Sequence, residues 1–489
     1  MRLELYNTMS RTKEPLKPVV AGRIGMYMCG PTVYSEPHLG HARGPIVFDV
    51  MRRWLEHEGF VVRLVTNVTD VGHLTDDSAA DGNGEDKLAR RAKLERIEPM
   101  EVAEKYFWSY FDAMAKLNVR RPSIVPRASG HIVEQIELVQ KLLDNETAYE
   151  RDGSVYFDVS AWKDYGALSG RDPDELLEGT RVDVRSDKDD PRDFAVWKRA
   201  EDGHIMRWNS PWGEGFPGWH LECSVMSTKY LGDEFDIHGG GLDLIFPHHE
   251  SEIAQAHAAG QPFARVWTHW NMITLGGEKM AKSKDHFVTL DKLFEKFDPI
   301  AVRFHLLRSH YRSVSDFSEE SLTASAQGLT RLTDTYSMVA SDAGVTGADP
   351  TVERRPRDDA PFVEFRAAFA EAMNDDINTP RAIAALFDAA RVVRKAVEDG
   401  AGPAYRAGAA ALFDEMLAGV LGVPTAARSG SGDADAALDG AIAVILEQRQ
   451  LARERRDFAT SDVLRDRLEA LGISIEDGPD GSRWRLAKR

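Results

Sequence analysis

The chain has 489 residues, 43% of them hydrophobic and 29% charged, which suits a protein of several domains with a substantial core. Its net charge of −18 argues against broad nucleic-acid binding while leaving room for a local basic surface, and two cysteines are too few for a disulfide framework. The N-terminal Met-Arg-Leu-Glu-Leu lacks the long apolar region of a signal peptide, and no apolar run approaches the length of a membrane span, so a cytoplasmic protein with no membrane partner is expected.

Residues 1–23 form a lead-in. The apolar run Ile24–Met28, the amphipathic run Ile46–His57 and the apolar run Val61–Thr66 predict strand, helix and strand, a βαβ unit and therefore a parallel sheet. The connection between the first two, from Cys29 to His41, holds one of the two cysteines and a His38-Leu39-Gly40-His41 stretch at a predicted helix start. A thiol can bind metal, and a helix start can hold phosphate through its free N–H groups. Asn67-Val68-Thr69-Asp70 follows the second strand, at the carboxyl edge where open α/β sheets bind ligands. Residues 72–87, rich in Gly and Asp, predict a loop. The pattern over 86–117 is helical, with Tyr106, Phe107, Tyr110 and Phe111 spaced for a buried face.

Residues 118–215 break the α/β rhythm with a helix over Ile132–Leu143, a hairpin over Ala148–Phe157 turning at Asp152-Gly153, and a charged stretch from Arg181 to Arg192. This block reads as an insertion in the sheet domain. The α/β pattern returns with a helix over Trp219–Tyr230 containing Cys223, a short strand Phe235–His238 ending at three glycines, and a helix opening at Phe246-Pro247-His248-His249. A strand over Val266–Leu275 precedes the basic, glycine-led loop Gly276–Lys284. From Ser318 the chain is mostly helical, with a helix start at Asn378-Thr379-Pro380 and flexible breaks over Ser341–Pro361 and Thr425–Ala434. Helices over Ala437–Leu471 and a hairpin of Ile473–Glu476 with Trp484–Leu486 close the chain. Residues 447–489 carry ten Lys/Arg against nine Asp/Glu, near neutral in an acidic chain.

Two constellations carry chemistry. Cys223, His248 and Glu252 are candidates to join Cys29 as metal ligands. The His248/Glu252 pair shares one helix face at i, i+4, and the donor set suits Zn²⁺. Two buried cysteines and a surface His/Glu pair are the plainer alternative, because the four come from distant segments. In the second group, His38 and His41 at a helix start and Lys279 and Lys282 in the basic loop can stabilise charge on phosphate oxygens, and Gly40 permits close approach of a ligand.

His38-Leu39-Gly40-His41 and Lys279-Met280-Ala281-Lys282-Ser283 resemble the two signatures of class I aminoacyl-tRNA synthetases. The segments around Cys29-Gly30-Pro31-Thr32-Val33-Tyr34, Asn67–Asp70, Gly218–Ser224, Asp236–Glu250, Met373–Pro380 and the C-terminal Arg456–Arg485 region are similar to the cysteinyl-tRNA synthetase family. The resemblance covers nearly the whole chain. It departs from the usual pattern at Ala281, where Ser is usual, and at Val71–Asp77, where an acidic continuation is usual, making the loop 71–86 longer than in many relatives.

The resemblance implies an α/β fold. A Rossmann-type parallel-sheet catalytic domain (1–117 and 216–317) holds an inserted acceptor-end domain (118–215). A helical tRNA-binding domain (318–424), a linker (425–436) and a small α+β anticodon-binding domain (437–489) follow. It implies one Zn²⁺ on Cys29, Cys223, His248 and Glu252, and a substrate pocket near Thr69 and Trp219. It places ATP with Mg²⁺ at Gly40 and Lys282, with His38, His41, Lys279 and Lys282 as the catalytic groups. The expected reaction joins cysteine to tRNA(Cys) through cysteinyl-adenylate, in a monomer.

Two alternatives stand beside it. A cysteine ligase of mycothiol synthesis resembles the family through its catalytic domain but has no use for residues 437–489. A non-catalytic, zinc-dependent nucleic-acid-binding protein would account for the metal set and for Arg453, Arg455 and Arg456, but not for the His38/His41 and Lys279/Lys282 pairs.

Overall fold

The computed structural model describes residues 3–76, 83–171, 188–201, 204–279, 288–340, 362–425, 431–470, 473–478 and 481–486. At its centre is a four-stranded parallel sheet of β1 (Arg23–Met28), β2 (Val61–Thr66), β3 (Glu234–Gly241) and β4 (Phe263–Trp270), in the order β4-β3-β1-β2. Met26 pairs with Ile237 on one side and with Leu64 on the other. β3 is buried along nearly its whole length, as a parallel strand covered on both faces must be. The chain leaves β1 in one direction to form β2, and β3 later joins β1 on its other side. The β1/β3 boundary is therefore a topological switch point, with Cys29 and Gly239–Gly241 at its carboxyl edge.

Helix α1 (Leu39–His57) links β1 to β2. It starts at the predicted His38–His41 stretch and runs unbroken into the amphipathic run Ile46–His57, although Gly44-Pro45 reads locally as a breaker. Packing overrides that preference. Ile46, Phe48, Val50, Met51 and Trp54 of α1 are buried in the main core, and a side chain at Gly44 would run into the Trp270 ring.

Further predicted boundaries move. The helix over 86–117 is two, Lys87–Glu95 and Pro99–Lys116, parted where Arg96 takes a left-handed φ of 58° ahead of Pro99. Part of the predicted loop 72–87 is a pair of strands, Leu74–Asp76 and Asn83–Asp86. The short strand predicted at Phe235–His238 continues through the three glycines. The single strand predicted over Val266–Leu275 is two, β4 and Ile273–Leu275, in different sheets. Tyr106 and Tyr110 are buried as their spacing requires, while Trp108 on the same helix is 51% exposed.

Residues between the two halves of the parallel sheet build a five-stranded sheet ordered Trp208–Ser210, Gly213–Pro217, Phe194–Arg199, Ser154–Phe157, Ala148–Arg151. Its Asp152-Gly153 turn has both φ angles positive, 51° and 84°, the geometry a tight hairpin needs. The charged stretch from Arg181 lies mostly outside the described residues, as does the break over Ser341–Pro361.

The helices Glu319–Ala340, Val363–Asn374, Thr379–Glu398 and Pro403–Phe413 follow, the third capped by the Asn378 side chain on Arg381 N. The chain divides into two compact units, Met1–Ala426 and Ala427–Arg489. In the second, helices Ser431–Glu454 and Phe458–Ala470 precede an antiparallel pair, Ile473–Gly478 with Gly481–Leu486. The first of these helices starts inside the predicted linker 425–436. Its alanine-rich run Ala434, Ala436, Ala437 has high helix propensity. Among the described residues no helix is long and apolar enough to cross a membrane.

Candidate metal and substrate site

The site forms at the switch point. Cys29 follows β1 directly, and its amide donates to Gly239 O at 3.0 Å, which ties the loop to the end of β3. The next residue must be glycine, because a Cβ at Gly30 would fall on the Asn67 carbonyl. In return Gly30 N donates to Asn67 Oδ1 at 2.7 Å. Cys223 comes from helix α2 (Trp219–Leu231), and Glu252 from the first turn of helix α3 (Glu250–Ala258). His248 stands in the wide helical turn Ile245–His249 that runs into α3.

These four side chains meet. Their ligand atoms all lie within 4.8 Å of one another, and all four residues are buried. Cys29 Sγ is 3.9 Å from Cys223 Sγ and 3.7 Å from Glu252 Oε1, and His248 Nε2 is 3.1 Å from the same Glu252 oxygen. A second group overlaps it. Cys29 and Glu252 also converge with His238, midway along β3, and His249. Cys29 Sγ is 3.3 Å from His249 Nε2, and His238 Nε2 is 2.8 Å from Glu252 Oε2. Behind them His249 Nδ1 meets His269 Nε2 at 2.7 Å, and His269 Nδ1 meets Thr8 Oγ1 at 2.7 Å.

Burial sets the protonation of these groups. Burial, helped by the neighbouring Cys223 and Glu252, holds the Cys29 thiol well above its ordinary range, and burial pushes Cys223 up to about 12. Burial also raises Glu252, against the pull of His238. His248 is held well below the ordinary imidazole value by burial and then by His220, so it is neutral with a lone pair to give. Thiols, a neutral imidazole and a carboxyl packed this closely fit a thiophilic divalent ion, whose charge would relieve the cost of ionising them.

Thr69 is buried at 2% exposure, and its hydroxyl donates to Glu222 Oε1 at 2.8 Å. Trp219 is half-buried, and its indole stacks on His248 with centroids 4.4 Å apart. His38 and His41 sit together at the start of α1, rings stacked at 3.7 Å, with His38 N donating to His41 Nδ1 at 3.1 Å. Gly40 lies between them. Lys279 is in the short strand Glu278–Lys279, paired to Ile273–Leu275. Lys282 lies outside the described residues. The far end of its loop returns to the His38 segment, where Leu39 N donates to Val288 O at 3.1 Å and Leu290 N to Pro37 O at 2.9 Å.

Sequence reasoning missed His238, His249, Glu222 and His73. The signals were present for the two histidines. His238 stands just before three glycines at the close of the short predicted strand Phe235–His238, and His249 is i, i+3 to Glu252. Nothing local marked Glu222 or His73.

The family model described as tRNA synthetases class I (C) catalytic domain matches residues 15–327, that of the DALR domain 368–425, and that of the cysteinyl-tRNA ligase anticodon binding domain 435–485. The fold is similar to that of Mycobacterium tuberculosis methionyl-tRNA synthetase in complex with methionyl-adenylate, with a TM-score of 0.60 over 82% of this chain and 92% of that one at 16% identity. The parallel sheet, the His38–His41 helix start and these matches define a class I aminoacyl-tRNA synthetase. The cysteine–tRNA ligase of Thermus thermophilus is 53% identical over 100% of both chains, and that of Deinococcus radiodurans 50% identical over 99% of this chain and 96% of its own. The chain belongs to the cysteine–tRNA ligase family. It is an enzyme, an aminoacyl-tRNA ligase with ATP, an amino acid and tRNA as substrates, and the alternatives of an aminosugar ligase and a non-catalytic binding protein fall away.

Proposed function

We propose that this protein activates cysteine with ATP to cysteinyl-adenylate and transfers the cysteinyl group to the 3′ end of tRNA(Cys). The cysteine carboxylate attacks the α-phosphorus, and pyrophosphate leaves. The carboxyl carbon then passes to the terminal ribose 2′-hydroxyl, releasing AMP. The protein's part is positioning and charge stabilisation. His38 and His41, with Lys279 and Lys282, hold the phosphates, Gly40 lets them approach the start of α1, and Mg²⁺ is the counter-ion of the triphosphate. Thr69 and Trp219 line the cysteine pocket.

The observation that supports this reading is the convergence of Cys29, Cys223, His248 and Glu252 at the switch point. These four would hold one Zn²⁺. When bound, zinc supplies a preference for a soft thiolate over a hydroxyl. Serine differs from cysteine by one atom, and a hydrocarbon pocket separates such near-isosteres by only roughly 1–3 kcal/mol. A metal-built pocket therefore needs no hydrolytic editing site, which leaves residues 118–215 to the acceptor end of the tRNA. Residues 318–424 bind its body, and 437–489 read the anticodon. The chain acts as a monomer in the cytoplasm.

The test is ATP–pyrophosphate exchange with cysteine and with serine, alongside assay of bound zinc. Cysteine-dependent exchange, with serine at least about a hundredfold weaker, is expected. Equal exchange with both, or none with cysteine, overturns the reading.

A further inference from the structure

We infer that His73, clamped by Lys87, is a positioning residue for the amino-acid side of the cleft, holding the Trp219 indole and the Thr32 hydroxyl in place. The inference rests on the cysteine-activating function proposed above and assigns a role to the segment after Asp70.

The local chain path explains the clamp. The chain leaves the cleft at His73, and the strands Leu74–Asp76 and Asn83–Asp86 bring it back at Lys87, whose amide donates to His73 O at 3.0 Å. The side chains close the same contact, with Lys87 Nζ 2.8 Å from His73 Nε2. An ammonium group donates and cannot accept, so Nε2 is the accepting nitrogen and the ring hydrogen lies on Nδ1. Nδ1 donates that hydrogen to Thr32 Oγ1, the two heavy atoms lying 2.5 Å apart. With its oxygen accepting from His73, the Thr32 hydroxyl has its own hydrogen left to donate. Thr32 pairs with Thr69 in an isolated parallel bridge, which sets it beside the proposed cysteine pocket.

The face of the ring has a second task. The His73 imidazole is stacked on the Trp219 indole at 4.3 Å and 12°, and the indole stacks in turn on His248. His73 is 7% exposed, so its ring is a fixed surface against a half-buried indole. Lys87 extends the wall, its ammonium 5.7 Å from the centre of the Tyr34 ring. Loss of His73 therefore frees Trp219 and Thr32 while removing none of the four proposed metal ligands and neither histidine of the His38–His41 helix start.

The experiment is steady-state cysteine-dependent ATP–pyrophosphate exchange by the purified full-length chain, with zinc content measured in parallel. His73→Ala is expected to raise the KM for cysteine by about tenfold or more, leaving zinc content unchanged and the KM for ATP and kcat within about twofold. His73→Phe, which keeps the stack, and His73→Asn, which can still donate to Thr32, should each recover part of the loss. These two carry the test if the alanine variant fails to fold. An unchanged KM for cysteine in all folded variants overturns the inference, as does a parallel loss of zinc and of ATP affinity, which would mark His73 as structural only. An inactive parent chain would instead refute the proposed function, and this inference with it.

Discussion

Glu252 Oε2 accepts a hydrogen bond from His238 Nε2 at 2.8 Å, and neither side chain is exposed. The bond turns the other carboxylate oxygen, Oε1, toward Cys29 and His248. A histidine behind a ligating carboxylate orients it and is costly to remove. His238→Ala should weaken zinc retention by about 10–100-fold, and His238→Gln should recover part of it. Competition against a chromogenic chelator measures this, and retention equal to that of the parent would show that Glu252 is oriented by something else.

Under the proposed zinc binding, the thiols make uptake depend on pH. Burial keeps both Cys29 and Cys223 protonated at neutral pH, and a cation must displace those protons, while neutral His248 has none to lose. Affinity should therefore rise with pH. Calorimetry of zinc binding to the metal-free chain, run in buffers of different ionisation enthalpy, should report about two protons released. Release near zero would mean that the thiols are already anionic. Cys223→Ser should lower zinc content and cysteine affinity together.

A buried ion pair anchors α1 from below. Asp49 accepts from Arg53 Nε at 2.8 Å and Arg303 Nη2 at 2.6 Å, while Arg303 also donates to the carbonyls of Leu117, Asn118 and Leu421. Burial alone would raise the Asp49 carboxyl, but the two guanidinium groups outweigh it and hold it below its usual value. A carboxyl lowered by folding contributes stability that is complete above about pH 4 and is lost as pH falls through its folded value. Asp49→Asn leaves two buried cations unpaired and should cost about 3–5 kcal/mol at pH 7. Denaturant unfolding should show that deficit shrinking in acid.

Asp376 is a hub of the Met373–Pro380 segment. It is fully buried, and it accepts from Tyr6 N at 2.9 Å, Tyr311 Oη at 2.5 Å and Arg312 Nε at 2.6 Å. Asp376 and Ile377 both take left-handed backbone angles, φ 60° and 50°, unusual for a β-branched residue such as Ile377. Asp376→Ala should destabilise the chain by about 3–5 kcal/mol, and Asp376→Asn by less, because its oxygen can still accept from Tyr6 and Tyr311. Thermal unfolding of the two variants checks the order. Equal Tm values for parent and alanine variant would exclude the hub.

Much of this protein is legible without a structure. Alternation of apolar runs and amphipathic stretches determines the βαβ unit, since burial on both faces of a parallel strand demands a run like Ile24–Met28. The His38–His41 and Lys279–Ser283 stretches are local, and the i, i+4 spacing of His248 and Glu252 puts them on one face before any fold is known. Local rules failed where packing overrode them. Gly44-Pro45 lies inside a helix because Trp270 and the core hold it there, and the predicted linker yields to a helix at Ser431.

What only the tertiary structure decided is which distant groups meet. Cys29 and Cys223 are separated by 194 positions, and their sulfur atoms come within 3.9 Å because β3 joins the sheet beside β1 rather than beyond β2. The same strand order carries His238 to the back of Glu252. The antiparallel strands Leu74–Asp76 and Asn83–Asp86 bring Lys87 to His73, whose imidazole lies against Trp219, a contact that no sequence spacing announces, because it depends on how two strands pair.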